Sequence, residues 1–190
     1  LARQMGHSGE DLYHVTEGNP FFITELLSPG GAASREGLPE SIRDAVWSRI
    51  ARLAQDEREL LEVMSIVPGG VEPWLARRLI GETADTVADR CAARGMLVRT
   101  AQGQWRFRHE LARQATLDRL SPAAQKALHG RAMEAMSLGA PDGASLPLSR
   151  LVHHAAGADD RSRVLELAPR AAAEAAKLGA HREAAALLAA

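Results

Sequence analysis

Gln104-Trp105-Arg106-Phe107-Arg108-His109-Glu110-Leu111 is the stretch whose reading decides the fold. Met96-Leu97-Val98-Arg99-Thr100 before it has the alternation and β-branched content of a strand, and Ala101-Gln102-Gly103 is a short turn. Side chains alternate faces along a strand. Trp105, Phe107 and His109 therefore share one face, and Arg106 and Arg108 take the other. His109 falls on the buried side of a hairpin, where strand gives way to helix. Taken alone, such a histidine reads as a core-edge residue that caps the helix following it.

Outward from the hairpin the chain is helical. Its 190 residues suffice for one large domain or two small ones. Hydrophobic residues make up 46% and aromatic residues only 4%, so the core is expected to consist mainly of Leu, Ala and Val. Abundant alanine and leucine with few β-branched runs indicate a mainly α protein. A formal net charge of -1 gives no general attraction to nucleic acid or anionic membrane. Lys126 and Lys177 are the only lysines, and neither follows glycine in a phosphate-binding loop. The single cysteine, Cys91, excludes an internal disulfide, suits a reducing cytoplasm, and reads as a small apolar residue on a helix face. No stretch is apolar over the length needed to span a membrane, and no signal peptide is evident. The chain opens at Leu1 and stops at Ala190 within a helical run, the expectation for a piece of a longer protein.

Three regions are expected. Residues 1–37 hold two short helices around Thr16-Glu17-Gly18-Asn19-Pro20, with Pro20 at a helix start, and then a linker, Ser28 to Gly37. Residues 38–120 hold a helix with Ile42, Val46, Ile50 and Leu53 inward and a second over Gln55 to Val67, ended by Pro68-Gly69-Gly70. A third follows over Glu72 to Ile80, and a fourth over Thr83 to Arg94 with Val87 and Cys91 inward. The hairpin and a helix from Glu110 to Arg119 complete the region. The last three helices before the two-stranded hairpin give, with it, the order of a winged helix.

Residues 121–190 read as helical hairpins. One helix is capped by Ser121-Pro122, with Ala124, Leu128, Ala132, Ala135 and Met136 as its stripe. A short helix is marked by Leu148, Leu151, Val152 and Ala155. A longer one carries Val164, Ala168, Ala171, Ala175 and Leu178, with Pro169 expected to kink or split it. A last helix begins after Gly179-Ala180. Small residues and short turns suggest a solenoid in the manner of tetratricopeptide repeats.

Thr16-Glu17-Gly18-Asn19-Pro20-Phe21-Phe22-Ile23-Thr24-Glu25-Leu26-Leu27 resembles a segment of STAND-type ATPases, and more narrowly of the large ATP-binding regulators of the LuxR family. Three further runs resemble that family in the same order. They are Leu38-Pro39-Glu40-Ser41-Ile42-Arg43-Asp44-Ala45-Val46, then Phe107-Arg108-His109-Glu110-Leu111-Ala112-Arg113, then Leu120-Ser121-Pro122-Ala123 with Leu128-His129. The resemblance implies the end of an ATPase lid at 1–37, a winged helix at 38–120, and the start of a helical sensor array at 121–190. It places the phosphate loop, the magnesium-binding acid and the DNA-binding helix-turn-helix elsewhere in a longer, cytoplasmic bacterial transcription regulator. ATP or ADP with magnesium would then be held by that parent protein and no cofactor by this stretch alone. Its partners would be other domains of the parent and an inducer or protein on the repeats. The resemblance also implies that His109 touches the β-phosphate of ADP and that Pro20, in the Gly18-Asn19-Pro20 corner, lies against adenine. For both residues the ordinary structural readings, helix cap and helix-start proline, stand beside these roles.

Other chemistries find less in the residues. The helix expected to face DNA in a winged module carries Glu82, Asp85 and Asp89 against Arg90 and Arg94, and the wing tip is Ala101-Gln102-Gly103. Phosphate contact needs clustered cations, so direct DNA binding is not expected. His153 and His154 are adjacent and project about 100° apart on a helix, unlike the four-residue spacing of paired metal ligands. His109, His129 and His181 have no cysteine or carboxylate at ligand spacing, and no serine has a nucleophile elbow around it. No catalytic or metal constellation is expected. The alternative to a nucleotide-coupled regulator is a helical protein–protein interaction module without nucleotide contact.

Overall fold

The computed structural model describes residues 46–141 and 143–188. Gly18, Asn19 and Pro20, with the expected lid, linker and Ile42, lie outside the described residues. The described chain is mainly helical with one small two-stranded antiparallel sheet. In order it runs α1 (46–50), α2 (Gln55–Ser65), α3 (Pro73–Ile80), α4 (Ala84–Ala93), β1 (Leu97–Arg99), β2 (Trp105–Phe107) and α5 (Glu110–Arg119). Then come α6 (Pro122–Ser137), α7 (Leu148–Gly157), α8 (Arg161–Lys177) and α9 (His181–Leu188). Two compact units result. One comprises 46–73 and 83–119; the other comprises 74–82 with the chain from Leu120 onward. Helix α3, which sequence order places within 38–120, thus groups with the second unit.

In the first unit α2 packs against α4 and α5, while β1 lies on α4 and β2 on α5. Leu60, Leu61, Val63 and Met64 of α2, Val87 and Cys91 of α4, and Leu97, Trp105 and Phe107 of the strands are buried. Leu97 pairs with Phe107 and Arg99 with Trp105. The turn closes through Thr100 N–H to the Gln104 carbonyl, 2.8 Å, with Gly103 at φ 79°. A left-handed backbone at that point favours glycine over any residue with a Cβ. Val71 adds a single bridge on the other side of β2, exchanging both backbone hydrogen bonds with Trp105 at 2.7 and 2.8 Å.

The start of α2 is held by a buried carboxylate. Glu57 is 0% exposed, and its Oε2 accepts from the Ala54 N–H at 2.8 Å. Its Oε1 accepts from Arg94 Nε at 3.1 Å and faces Arg90 Nε at 3.5 Å. Arg90 also pairs with Asp56 and holds that carboxyl below its usual range. Arg90 of α4 and Arg94, which follows its last turn, are therefore committed to the start of α2.

In the second unit each of α6 to α9 packs on the next. Met133, Val152, Ala155, Leu167, Ala168 and Ala171 form one buried cluster, and Ala172, Ala175 and Ala184 a second. Alanine at these positions lets the helices approach closely. Helices α3 and α6 satisfy each other's C-terminal carbonyls. Arg78 donates to Ala135 O at 2.9 Å and to Gly139 O at 2.5 Å, and Arg131 donates to Leu79 O at 2.5 Å. Cations at helix C-termini pair with otherwise orphaned carbonyls and with the negative end of the helix dipole.

Two sequence expectations need correction here. Helix α8 is not split: it runs through Pro169 from Arg161 to Lys177. Pro169 is on the exposed face, as is Leu165, whose carbonyl the proline cannot serve. Leu178, expected on the inward stripe, is 86% exposed because the helix has ended and the chain turns at Gly179, φ 78°.

Candidate functional site

The strand run ends one residue pair earlier than alternation suggests. Arg108 and His109 form a bend after Phe107, and His109 is half-buried rather than on the buried strand face. Its carbonyl accepts from Ala112 N–H at 3.0 Å and from Arg113 N–H at 3.4 Å, so the backbone of His109 starts α5. Arg108 N–H still donates to Met96 O at 2.9 Å, which anchors the bend to the start of the hairpin. His109 is thus fixed from both sides.

Beside this junction is a cleft of about 230 Å³ lined by Gly69, Gly70, Val71, Trp105, Phe107 and Arg113, among others. A Cβ on Gly70 would displace the end of the Gln104 side chain. Arg113 would be the cleft's natural anion contact, but its donors are taken. Nε donates to Glu110 at 2.7 Å, Nη1 to Ser65 O at 2.5 Å, and Nη2 to Gln114 at 3.1 Å. Its charge is paired to Glu110, while Arg106, also in the lining, is exposed. On the expected DNA-facing helix, Arg90 and Arg94 are engaged as described, and Trp105 Nε1 donates to Asp85 at 3.5 Å.

A second group of functional residue types was not expected to assemble. His129 of α6 and His153 and His154 of α7 come together in the second unit. One ring nitrogen from each lies within 4.8 Å of the others. Nδ1 of His129 is 3.0 Å from Nδ1 of His154, so one ring donates and the other accepts. The three ring centroids are 5.0 to 5.2 Å apart. His129 is 8% and His154 0% exposed, while His153 is open to solvent. Burial and the neighbouring His153 push His129 down to about 4 and His154 down to about 3. Both rings are therefore neutral near pH 7. His154 Nε2 is buried and makes no hydrogen bond.

The last residue of α7 explains why His129 can come so close. A Cβ on Gly157 would collide with Nδ1 and Cγ of the His129 ring. The sequence signal for this arrangement is faint: His153-His154 is visible, but their partner lies 24 residues earlier on another helix. Spacing rules within one helix cannot detect it. Compared with protein-family models, curated proteins and solved structures, the chain gave no match.

Proposed function

We propose that the chain is the regulatory part of a nucleotide-responsive transcription regulator resembling the large ATP-binding members of the LuxR family. In this reading α2 to α5 with the hairpin act as a winged helix, and α6 to α9 begin a tetratricopeptide-like sensor array. The observation that carries the reading is the placement of His109 at the hairpin–α5 junction. There the Arg108 N–H and the His109 carbonyl pin the backbone, and the residue is half-buried with its Nδ1 inward. An imidazole so held can donate to a phosphate oxygen that another part of the parent protein presents, more strongly when protonated. ADP would favour the closed arrangement and ATP with inducer the open one, a population shift between two states. Arg90, Arg94 and Arg113 are engaged internally, which supports a contributing rather than a self-sufficient nucleotide site and no direct DNA contact.

The test is inducer-free transcription by the full-length regulator with His109→Ala. Loss of an ADP lock raises output; loss of a purely structural residue lowers it. Lowered output would overturn the reading.

The alternative, a helical interaction module without nucleotide contact, is favoured by one feature of the second unit. Leu165 is 78% and Leu138 77% exposed there. Exposed large apolar side chains mark partner contact where they join into one contiguous patch. In that case His109→Ala leaves ADP binding by the parent unchanged.

A further inference from the structure

We propose that His129, His153 and His154 form a binding site for a transition-metal ion of the zinc class, built between α6 and α7.

The donor geometry is the first argument. Tetrahedral zinc holds imidazole nitrogens at about 2.0–2.1 Å, which sets neighbouring donors about 3.3 Å apart. The His129 and His154 Nδ1 atoms, at 3.0 Å, are already slightly closer than that. The third nitrogen, on the exposed His153 ring, lies within 4.8 Å of the others. Adjacent residues on one helix diverge, and alone they make a poor chelate. Here the third ring enters from a neighbouring helix and converges with both.

The second argument is that the site is built. His154 is fully buried, and its Nδ1 meets only another imidazole. A metal ion would replace the weak imidazole–imidazole contact with two coordinate bonds. Gly157 is the only residue type that admits the His129 ring at its position. Both buried ligands are thus held by packing, and the solvent-side ligand supplies the entry path and leaves a coordination position for water.

The donor set also selects the metal. Imidazole-only ligation suits Zn²⁺, Co²⁺, Ni²⁺ and Cu²⁺, whereas Mg²⁺ and Ca²⁺ need oxygen donors. Nearby charge works against a cation: Arg150 acts on His154, and Lys126, one turn before His129, is paired with Asp159 at 3.0 Å. Micromolar affinity is therefore expected, below that of structural zinc sites with thiolate ligands.

The test is calorimetric titration of the chelator-stripped chain with Zn²⁺, alongside Co²⁺ absorption spectra and the same titration of His153→Ala, His153→Gln and His181→Ala. The proposal expects one equivalent bound with micromolar affinity and visible Co²⁺ bands of low-symmetry coordination. It expects at least a tenfold loss in both His153 variants and none in His181→Ala. Since His153 is exposed, its variants should keep the wild-type circular dichroism spectrum. If they do not, the zinc-induced rise in melting temperature of the unaltered chain, its absence with Mg²⁺, and histidine ring shifts in NMR decide instead. No zinc binding at about a hundredfold above micromolar concentrations would overturn the proposal. So would Zn²⁺ binding retained in folded His153 variants, or ring shifts confined to other histidines.

Discussion

Glu57 ties the start of α2 to α4 in the first unit. It is a buried carboxylate at a helix start, satisfied by one backbone N–H and by two arginines whose side chains are 45% and 51% exposed. Removing one member of such a group leaves the others desolvated and unpaired, at about 3–5 kcal/mol when all are buried. Because both arginines reach water, we expect about 2–3 kcal/mol for Glu57→Ala, with Glu57→Gln losing less because it can still accept from Ala54. Chemical denaturation measures both, and equal stability in Glu57→Ala would contradict the account. Cys91 beside it is the opposite case, a titratable group kept from titrating. Burial, with the Glu57 carboxylate next in effect, pushes its thiol up to about 12. A raised thiol pKa means the thiolate is scarce at any pH below it, so alkylation of the native chain should stay negligible from about pH 7 to 9. Mass spectrometry should find iodoacetamide on Cys91 only after unfolding; rapid native labelling would show that the thiol is accessible.

Among the elements, two helical glycines separate conformational cost from close packing. Gly130 in α6 has nothing within 4 Å of where a Cβ would stand. Gly130→Ala should stabilise by about 0.5–1 kcal/mol, since alanine loses less backbone entropy in a helix. Gly157→Ala meets the His129 ring, and overpacking should cost about 1–3 kcal/mol despite the same propensity gain. Thermal melts of the two variants should move in opposite directions; a shared direction would mean the His129 ring is not seated on α7. The elements themselves were largely legible. Gly81, Gly95 and Gly179 fall after helices at positive φ, as helix-ending glycines do, and α5 spans Glu110–Arg119 as its pattern indicates. What pattern could not supply was tertiary. The apolar period of α3 is the same whichever unit it joins, and its place beside α6 depends on Arg78 and Arg131, whose carbonyl partners are invisible in a sequence. His109 illustrates the same limit, for the alternating pattern continues two residues past Phe107, where β2 ends.

At the level of the whole molecule, three arginines near the proposed contact are engaged within the chain. Arg113 is spent on Glu110, Ser65 and Gln114, and Arg90 and Arg94 are spent on Asp56 and Glu57. Among the described residues no helix is long and apolar enough to cross a membrane. A half-buried histidine pinned at a strand–helix junction is most useful as one contact in a site completed elsewhere. That is the central claim, and ADP affinity tests it most directly. A charge-assisted hydrogen bond to phosphate is worth roughly 1.5–3 kcal/mol, equivalent to about ten- to a hundredfold in affinity. Calorimetry of ADP binding to the full-length protein should therefore show His109→Ala weaker by that factor, with His109→Asn intermediate and the melting temperature of the ADP-free protein little changed. ADP affinity in His109→Ala equal to that of the unaltered protein would contradict the account.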